Sequence, residues 1–299
     1  MVSSFTVIRG GIRATSAVSP RLAGRFATQA FSLTQPRMPV READAVTHFA
    51  ARRGMLRVRS DDVTTYRWGA GDRTVLLLHG WRGRASQFAP VVRELVSEGF
   101  HVVSFDAPAH GDSTGRRTDI RDWIEATEQL QRAHGRFSAI IGHSFGALAG
   151  LTAARNGVTT GAVAAISGAA SPDAFLGQFA AALDLDAPTR AAFGRSFRAR
   201  VGGDEASVFA RYDAVADPLP PAVDLLVVHD RGDRQMPPLD SQRLHAAHGA
   251  RSRLLLTEGL GHNRVLSADP VLDAVVALTT GGLPAIDALR GDEREPVAA

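Results

Sequence analysis

The chain has 299 residues, 44% of them apolar and 22% charged, which suits one large α/β domain or two modest ones. It has no cysteine, which excludes a disulfide frame, a thiolate nucleophile and a cysteine zinc site without fixing a redox compartment. The net charge of +3 is local: residues 1–40 hold five of the 34 basic residues and no acid, leaving 29 against 31 acids. Every basic residue is Arg, the main body is slightly acidic, and no nucleic-acid partner is expected. No apolar stretch approaches the roughly 20 residues of a membrane span.

Residues 1–40 form an Arg-rich leader. Its Ser/Thr content and lack of acids fit an organelle-targeting presequence. A docked helix after a floppy start fits equally: Ser19-Pro20 supplies an N-cap and first-turn proline, and Leu22, Phe26, Ala27, Ala30 and Phe31 then share a face. Pro36 and Pro39 end the segment. A cytoplasmic location is expected, with targeting by the leader as the alternative.

Residues 41–54 predict a short helix. MLRVRS and VTTYRW alternate around Asp61-Asp62 as a hairpin. Six near-continuous apolar runs follow: TVLLLHG, HVVSFD, FSAIIGH, AVAAIS, DLLVVHD and RLLLTE. Such runs suit strands buried on both faces, and helix-period segments separate most of them. The expected fold class is α/β, with a doubly wound, mostly parallel sheet spanning 41–281. More than fifty residues between Ser167 and Val223 break the rhythm with two or three amphipathic helices, a helical lid at about 168–222 inserted before the penultimate strand. The lid phenylalanines Phe175, Phe179, Phe193, Phe197 and Phe209 suit either an apolar pocket or lid-to-body packing. Residues 282–299 read as a frayed tail.

GHSFG (142–146) lies between the strand FSAIIG and the helix GALAGLTAA. Strand, sharp turn and helix are the setting of a nucleophile elbow, in which Gly142 and Gly146 give the backbone room and Ser144 is held up as nucleophile. An ordinary strand-ending turn is the alternative. An anion trap would take one amide from Phe145 and one from Trp81, in the loop after the first buried strand. His79 and Gly80 would shape that loop.

Of ten histidines, His262 follows the last strand, in the loop EGLGHNRVL at the same sheet edge as Ser144, where an imidazole can accept and return a proton. His143 points the other way along the turn and shapes the elbow; His229, His245 and His248 read as structural. VVHDRGDRQMP offers Asp230 and Asp233 as the orienting acid. Asp233 lies past the strand end in a turn closed by Pro237, whereas Asp230 at the strand tip suits holding the turn.

Together, HG (79–80), DAPAHGDS (106–113), GHSFG (142–146), DRQMP (233–237) and GLGH (259–262) resemble the α/β-hydrolase superfamily over residues from about 55 to 281. The resemblance implies Ser144, His262 and Asp233 as a catalytic triad and Phe145 and Trp81 as oxyanion donors, with no cofactor and no metal. Ala109 and Ala147 stand where glycine is usual in the family, and Asp230 follows His229 where glycine is commoner. The family includes esterases, lipases, thioesterases, peptidases and carbon–carbon bond hydrolases. The expectation is therefore a serine hydrolase cleaving a carboxylic ester or related acyl bond of a small-molecule substrate. Alternatives are acyl transfer, a peptidase or carbon–carbon hydrolase on the same triad, or a non-catalytic binding protein.

Overall fold

The computed structural model describes residues 4–202 and 210–292; Phe209 and the end of the expected tail lie outside them. Its centre is an eight-stranded sheet of order β1-β2-β4-β3-β5-β6-β7-β8. The strands are β1 Arg52–Val58, β2 Asp61–Trp68, β3 Thr74–Leu78, β4 His101–Phe105, β5 Phe137–His143, β6 Thr160–Ile166, β7 Asp224–Asp230 and β8 Ser252–Thr257. β1 and β2 pair antiparallel and β2 joins β4 antiparallel, while every pairing from β4 to β8 is parallel.

The apolar runs are continuous because the sheet is covered on both faces. In β3, Val75 and Leu77 belong to a core with Phe88, Leu95 and Leu278, while Leu76 and Leu78 belong to one with Trp123, Ile140 and Leu148. Strand order reverses at β3, whose neighbours β4 and β5 run away in opposite directions. In an open α/β sheet that reversal leaves a crevice at the strands' carboxyl ends. β1 and β2 meet at Arg59-Ser60, two residues earlier than the Asp61-Asp62 turn read from sequence; Arg59 takes φ 49° there.

The leader is largely helical: α1 Ser4–Val18 and α2 Pro20–Phe31 precede α3 Glu42–Phe49. The Ser19 hydroxyl accepts from the Leu22 amide at 3.3 Å and caps α2. The face read from sequence is displaced, because Leu22 and Phe26 are 54% and 38% exposed while Ala23, Gly24 and Ala27 are buried. Further helices are α4 Ala89–Ser97 after β3, α5 Ile120–His134 after β4 and α6 Phe145–Arg155 after β5. Before β7, α7 Pro172–Ala182 and α8 Ala187–Val201 form the described part of the insertion.

α2 packs on α8 so closely that a Cβ on Gly24 would sit 2.6 Å from the Ala192 carbonyl carbon. Small residues, not large apolar ones, permit that approach. α1 is held by Arg9 to Asp184 at 3.1 Å and by the Ser16 hydroxyl to Asp186 at 2.6 Å. Residues 34–37 are strapped to the loop after β4: the Thr34 hydroxyl donates to the Ala109 carbonyl at 2.8 Å, and Arg37 donates to the carbonyls of Gly111 and Ser113.

α9 Leu239–His248 follows β7, and the last long helix, α10, runs Asp269–Asp292 with a kink at Gly282 (φ 69°). The body therefore does not end at 281; glycine kinks the helix, and Leu283 and Ile286 are buried beyond it. Asp269–Leu289 is also long and apolar enough by composition to cross a membrane, which amends the expectation from sequence; here Val271, Val275 and Leu278 pack it against the sheet core.

Candidate active site

Ser144 follows β5 at φ 54° and ψ −118°, a positive-φ conformation that L residues rarely take. Close packing imposes it. A Cβ on Gly146 would lie 2.0 Å from the Leu78 carbonyl oxygen, and one on Gly142 would lie 2.5 Å from the Ala147 Cα. Only glycine lets α6 start directly against β3 and β5. The Ser144 amide donates to the Ile166 carbonyl at 2.9 Å, anchoring the turn to β6. Phe145 opens α6, so its amide has no acceptor within the helix and is available to a ligand.

The loop after β3 lies against the elbow, where a Cβ on Gly80 would be 2.9 Å from the Ser144 Cβ. The Gly83 amide closes a turn on the Gly80 carbonyl at 3.0 Å, with Trp81 and Arg82 at its corners. His79 Nδ1–H donates to the Gly80 carbonyl at 2.8 Å and its Nε2 accepts from the Ala107 amide at 3.0 Å, which fixes the neutral tautomer. Burial lowers its pKa.

His110, within the DAPAHGDS stretch that the family resemblance makes structural, fixes Arg82 of this loop in the same way. Its Nε2 accepts from the Arg82 amide at 3.0 Å and its Nδ1–H donates to the Pro108 carbonyl. Burial, then His79 nearby, holds His110 well below the usual histidine range. Beneath the loop, Arg84 contacts Asp112 at 3.0 Å and Asp106 at 3.5 Å. Its signal in the sequence was only an Arg inside a glycine-rich loop, and its partners come from a loop about twenty residues on.

His262 begins its loop beyond β8 in the short helical turn Gly261–Arg264. Its Nδ1 lies 2.7 Å from Asp233 Oδ2. The other Asp233 oxygen accepts from the amides of Gln235 and Met236 at 2.8 and 3.0 Å. His229 Nε2 lies 3.4 Å from Oδ2 and 2.7 Å from the Met236 carbonyl, a supporting position that its place inside a strand concealed. Burial opposes ionisation of Asp233, but the hydrogen bonds from His229, His262 and Met236 outweigh it and hold the carboxyl well below the usual carboxylate range. Asp230 instead accepts from the Thr257 hydroxyl and the Leu260 and Gly232 amides, and so fixes the turn.

His143 does not point away from the site. Its Nε2–H donates to the His262 carbonyl at 2.8 Å, and the two rings stand 4.9 Å apart. Burial, reinforced by His262, lowers its pKa to about 3, so it is neutral and ties the elbow to the His262 loop.

Ser144, His262 and Trp81 line one cavity of about 550 Å³, together with Phe31, Phe175 and Phe179. Phe31 comes from the end of α2. Its ring stacks on Trp81 at 5.5 Å and meets Phe179 edge-on at 5.1 Å, while Trp81 in turn stacks on Trp123 at 5.9 Å. Phe193 and Phe197 pack behind Phe31 in the core rather than lining the cavity. The leader thus supplies a wall of the site, which composition alone did not reveal.

The model of the alpha/beta hydrolase family matches residues 75–275, more than half of the chain. The chain belongs to that family. Among solved structures it is similar to mouse alpha/beta hydrolase domain-containing protein 10, at 18% identity and a TM-score of 0.60 over 81% of this chain and all (100%) of the other. It is similar to an esterase of Pyrococcus furiosus at 19% identity and a TM-score of 0.59, covering 80% of this chain and 92% of the esterase. A thioesterase domain from the curacin biosynthetic pathway gives 15% identity and a TM-score of 0.55, covering 79% and 99%. At these identities the likeness is one of fold. No curated protein sequence matches the chain.

Proposed function

We propose that this hydrolase cleaves a carboxylic ester or related acyl bond through an acyl-enzyme on Ser144. The observation that carries the reading is the pair His262–Asp233, 2.7 Å apart, facing the same cavity as a serine at a strained strand-to-helix turn. His262 Nε2 takes the hydroxyl proton as Ser144 Oγ bonds to the acyl carbon. The oxygen that was the carbonyl then draws on the Phe145 and Trp81 amides, each worth a few kcal/mol of barrier. Collapse breaks the bond to the leaving group, which receives the proton from the imidazole. Water repeats both steps on the acyl-enzyme and restores Ser144. The ionised Asp233 keeps the His262 proton on Nδ1 and stabilises the imidazolium without itself becoming protonated.

The apolar group of the substrate lies against Phe31, Phe175 and Phe179, so α2 and the inserted α7–α8 act jointly as a lid. A fluorophosphonate probe tests the assignment on the intact protein. One adduct per chain in the wild type, lost in Ser144→Ala, supports it. A folded wild type that neither takes the probe nor turns over p-nitrophenyl esters leaves a binding protein on this scaffold.

A further inference from the structure

The aromatic end of the cavity is only half of its chemistry. Its lining also includes three arginines from three separate segments: Arg41 at the start of α3, Arg82 in the Trp81 turn, and Arg234 beside Asp233. Among the described residues lining this cavity, none is Asp or Glu. Composition does not account for that imbalance, since the chain after residue 40 has slightly more acids than bases.

Two acids beside these arginines in the chain, Asp44 and Asp233, are already engaged. Asp44 lies 3.8 Å from Arg41 and is itself largely buried. Asp233 stands behind His262, bonded to it and to two amides. Arg82 is held in place by the Leu33 carbonyl at 3.4 Å, a bond that occupies one of the five donors a guanidinium carries. The start of α6 adds its partial positive charge under the same opening. A neutral ester would bring no counter-charge to these three arginines.

We infer that the substrate is an acyl ester or thioester whose leaving group carries an anionic group, a phosphate or carboxylate. The acyl chain lies against Phe31, Phe175 and Phe179, and Arg41, Arg82 and Arg234 hold the anion. This rests on the acyl-hydrolase reading and adds the charge of the substrate to it. In the reaction, Ser144 Oγ bonds to the acyl carbon, the bond to the anionic leaving group breaks, and that group departs with the proton from His262. Guanidinium groups suit this role because they stay protonated and meet phosphate or carboxylate oxygens with paired N–H donors.

The test uses three octanoyl esters that differ in the charge of the leaving phenol: 4-hydroxybenzoate, 4-nitrophenol and 4-(trimethylammonio)phenol. Comparing wild type with Arg41→Gln/Arg234→Gln cancels the unequal reactivity of the phenols. The anionic-to-neutral ratio of kcat/KM should fall about tenfold or more in the variant, the loss expected for charge-assisted contacts. The Lys double variant should recover most of it. The ratio for the cationic ester should move the opposite way. A variant that changes all three esters alike overturns the inference. Octanoyl-coenzyme A and 1-octanoyl-glycerol 3-phosphate then separate a carrier thioester from a lipid headgroup as the source of the phosphate.

Binding to Ser144→Ala gives a readout independent of catalysis. Calorimetry should show octyl phosphate binding at least about tenfold more tightly than octyltrimethylammonium, with the difference shrinking as salt is added. Equal binding overturns the anionic preference even if every ester is hydrolysed. Preferential binding without turnover keeps it and removes the hydrolase reading instead.

Discussion

The cavity has two unlike walls. One is made of loops at the carboxyl ends of β3, β5, β7 and β8, and its polar groups are fixed by hydrogen bonds: His79 to Ala107, His110 to Arg82, His143 to the His262 carbonyl, Asp233 to two amides. The other is aromatic, built from α2 and α7, and held by ring contacts of 5 to 6 Å around Phe31. Directional bonds fix a reacting atom to a fraction of an ångström, which chemistry needs. Apolar packing fixes volume and tolerates exchange, which suits selecting a substrate. Changes to the first wall should therefore cost rate, and changes to the second should cost selectivity.

The largest effect belongs to the first wall. Asp233→Asn preserves shape but removes the charge that sets the His262 tautomer, so kcat/KM for a p-nitrophenyl ester should fall by roughly 10³- to 10⁴-fold in protein that is still folded. A loss under tenfold would remove Asp233 from the mechanism.

Acid should damage the same wall next. His79, His110 and His143 are buried neutral, with folded pKa values below the ordinary 6.5, for His143 about 3. Below 6.5 the unfolded chain takes up protons that the folded chain refuses, so stability falls as pH drops from 6.5 toward 3. Asp233 acts in the same direction, its contribution being lost as pH falls through its depressed folded pKa. The three histidines together should cost several kcal/mol, read from denaturant midpoints between about pH 7.5 and 4, and the Asp233 contribution is lost in turn only below its ordinary 3.8. A flat profile would mean these histidines are not held neutral.

The second wall should yield the smallest loss. Phe31→Ala removes the ring between Trp81 and Phe179 and should cost about 2 kcal/mol of stability, less than a fully buried Phe. Its signature is selectivity: the preferred acyl chain should lengthen by several carbons, with roughly tenfold change in the ratio of long to short p-nitrophenyl esters. An unchanged chain-length profile would make α2 mere packing.

The two walls also differ in how far the sequence discloses them. The buried strands, the elbow between Gly142 and Gly146, and the loops bearing Asp233 and His262 leave local signs: continuous apolar runs, glycines at fixed offsets, a proline after a strand. In the aromatic wall, Phe175 and Phe179 suit an apolar pocket on the sequence alone, but Phe31 leaves no such sign. Phe31 meets Trp81 fifty residues away and Phe179 a hundred and forty-eight away. The face of α2 eludes a reading by hydrophobicity because the contact that seats it, Gly24 on Ala192, depends on the absence of side chains. His110 lies in a motif of the resemblance and His229 reads as structural, but their partners, the Arg82 amide and Asp233, meet them only through the fold of the loops.

The central claim, that Ser144 carries the acyl group, is tested most directly by trapping that intermediate. Mixed with p-nitrophenyl octanoate and quenched in acid within milliseconds, the enzyme should release about one nitrophenolate per chain in a burst when deacylation is the slower step. Trypsin should then release a peptide spanning residues 137–155 with the octanoyl mass on Ser144, confirmed by fragmentation against Ser138 in the same peptide. Octanoate found on another residue, or turnover persisting in Ser144→Ala, would contradict the account.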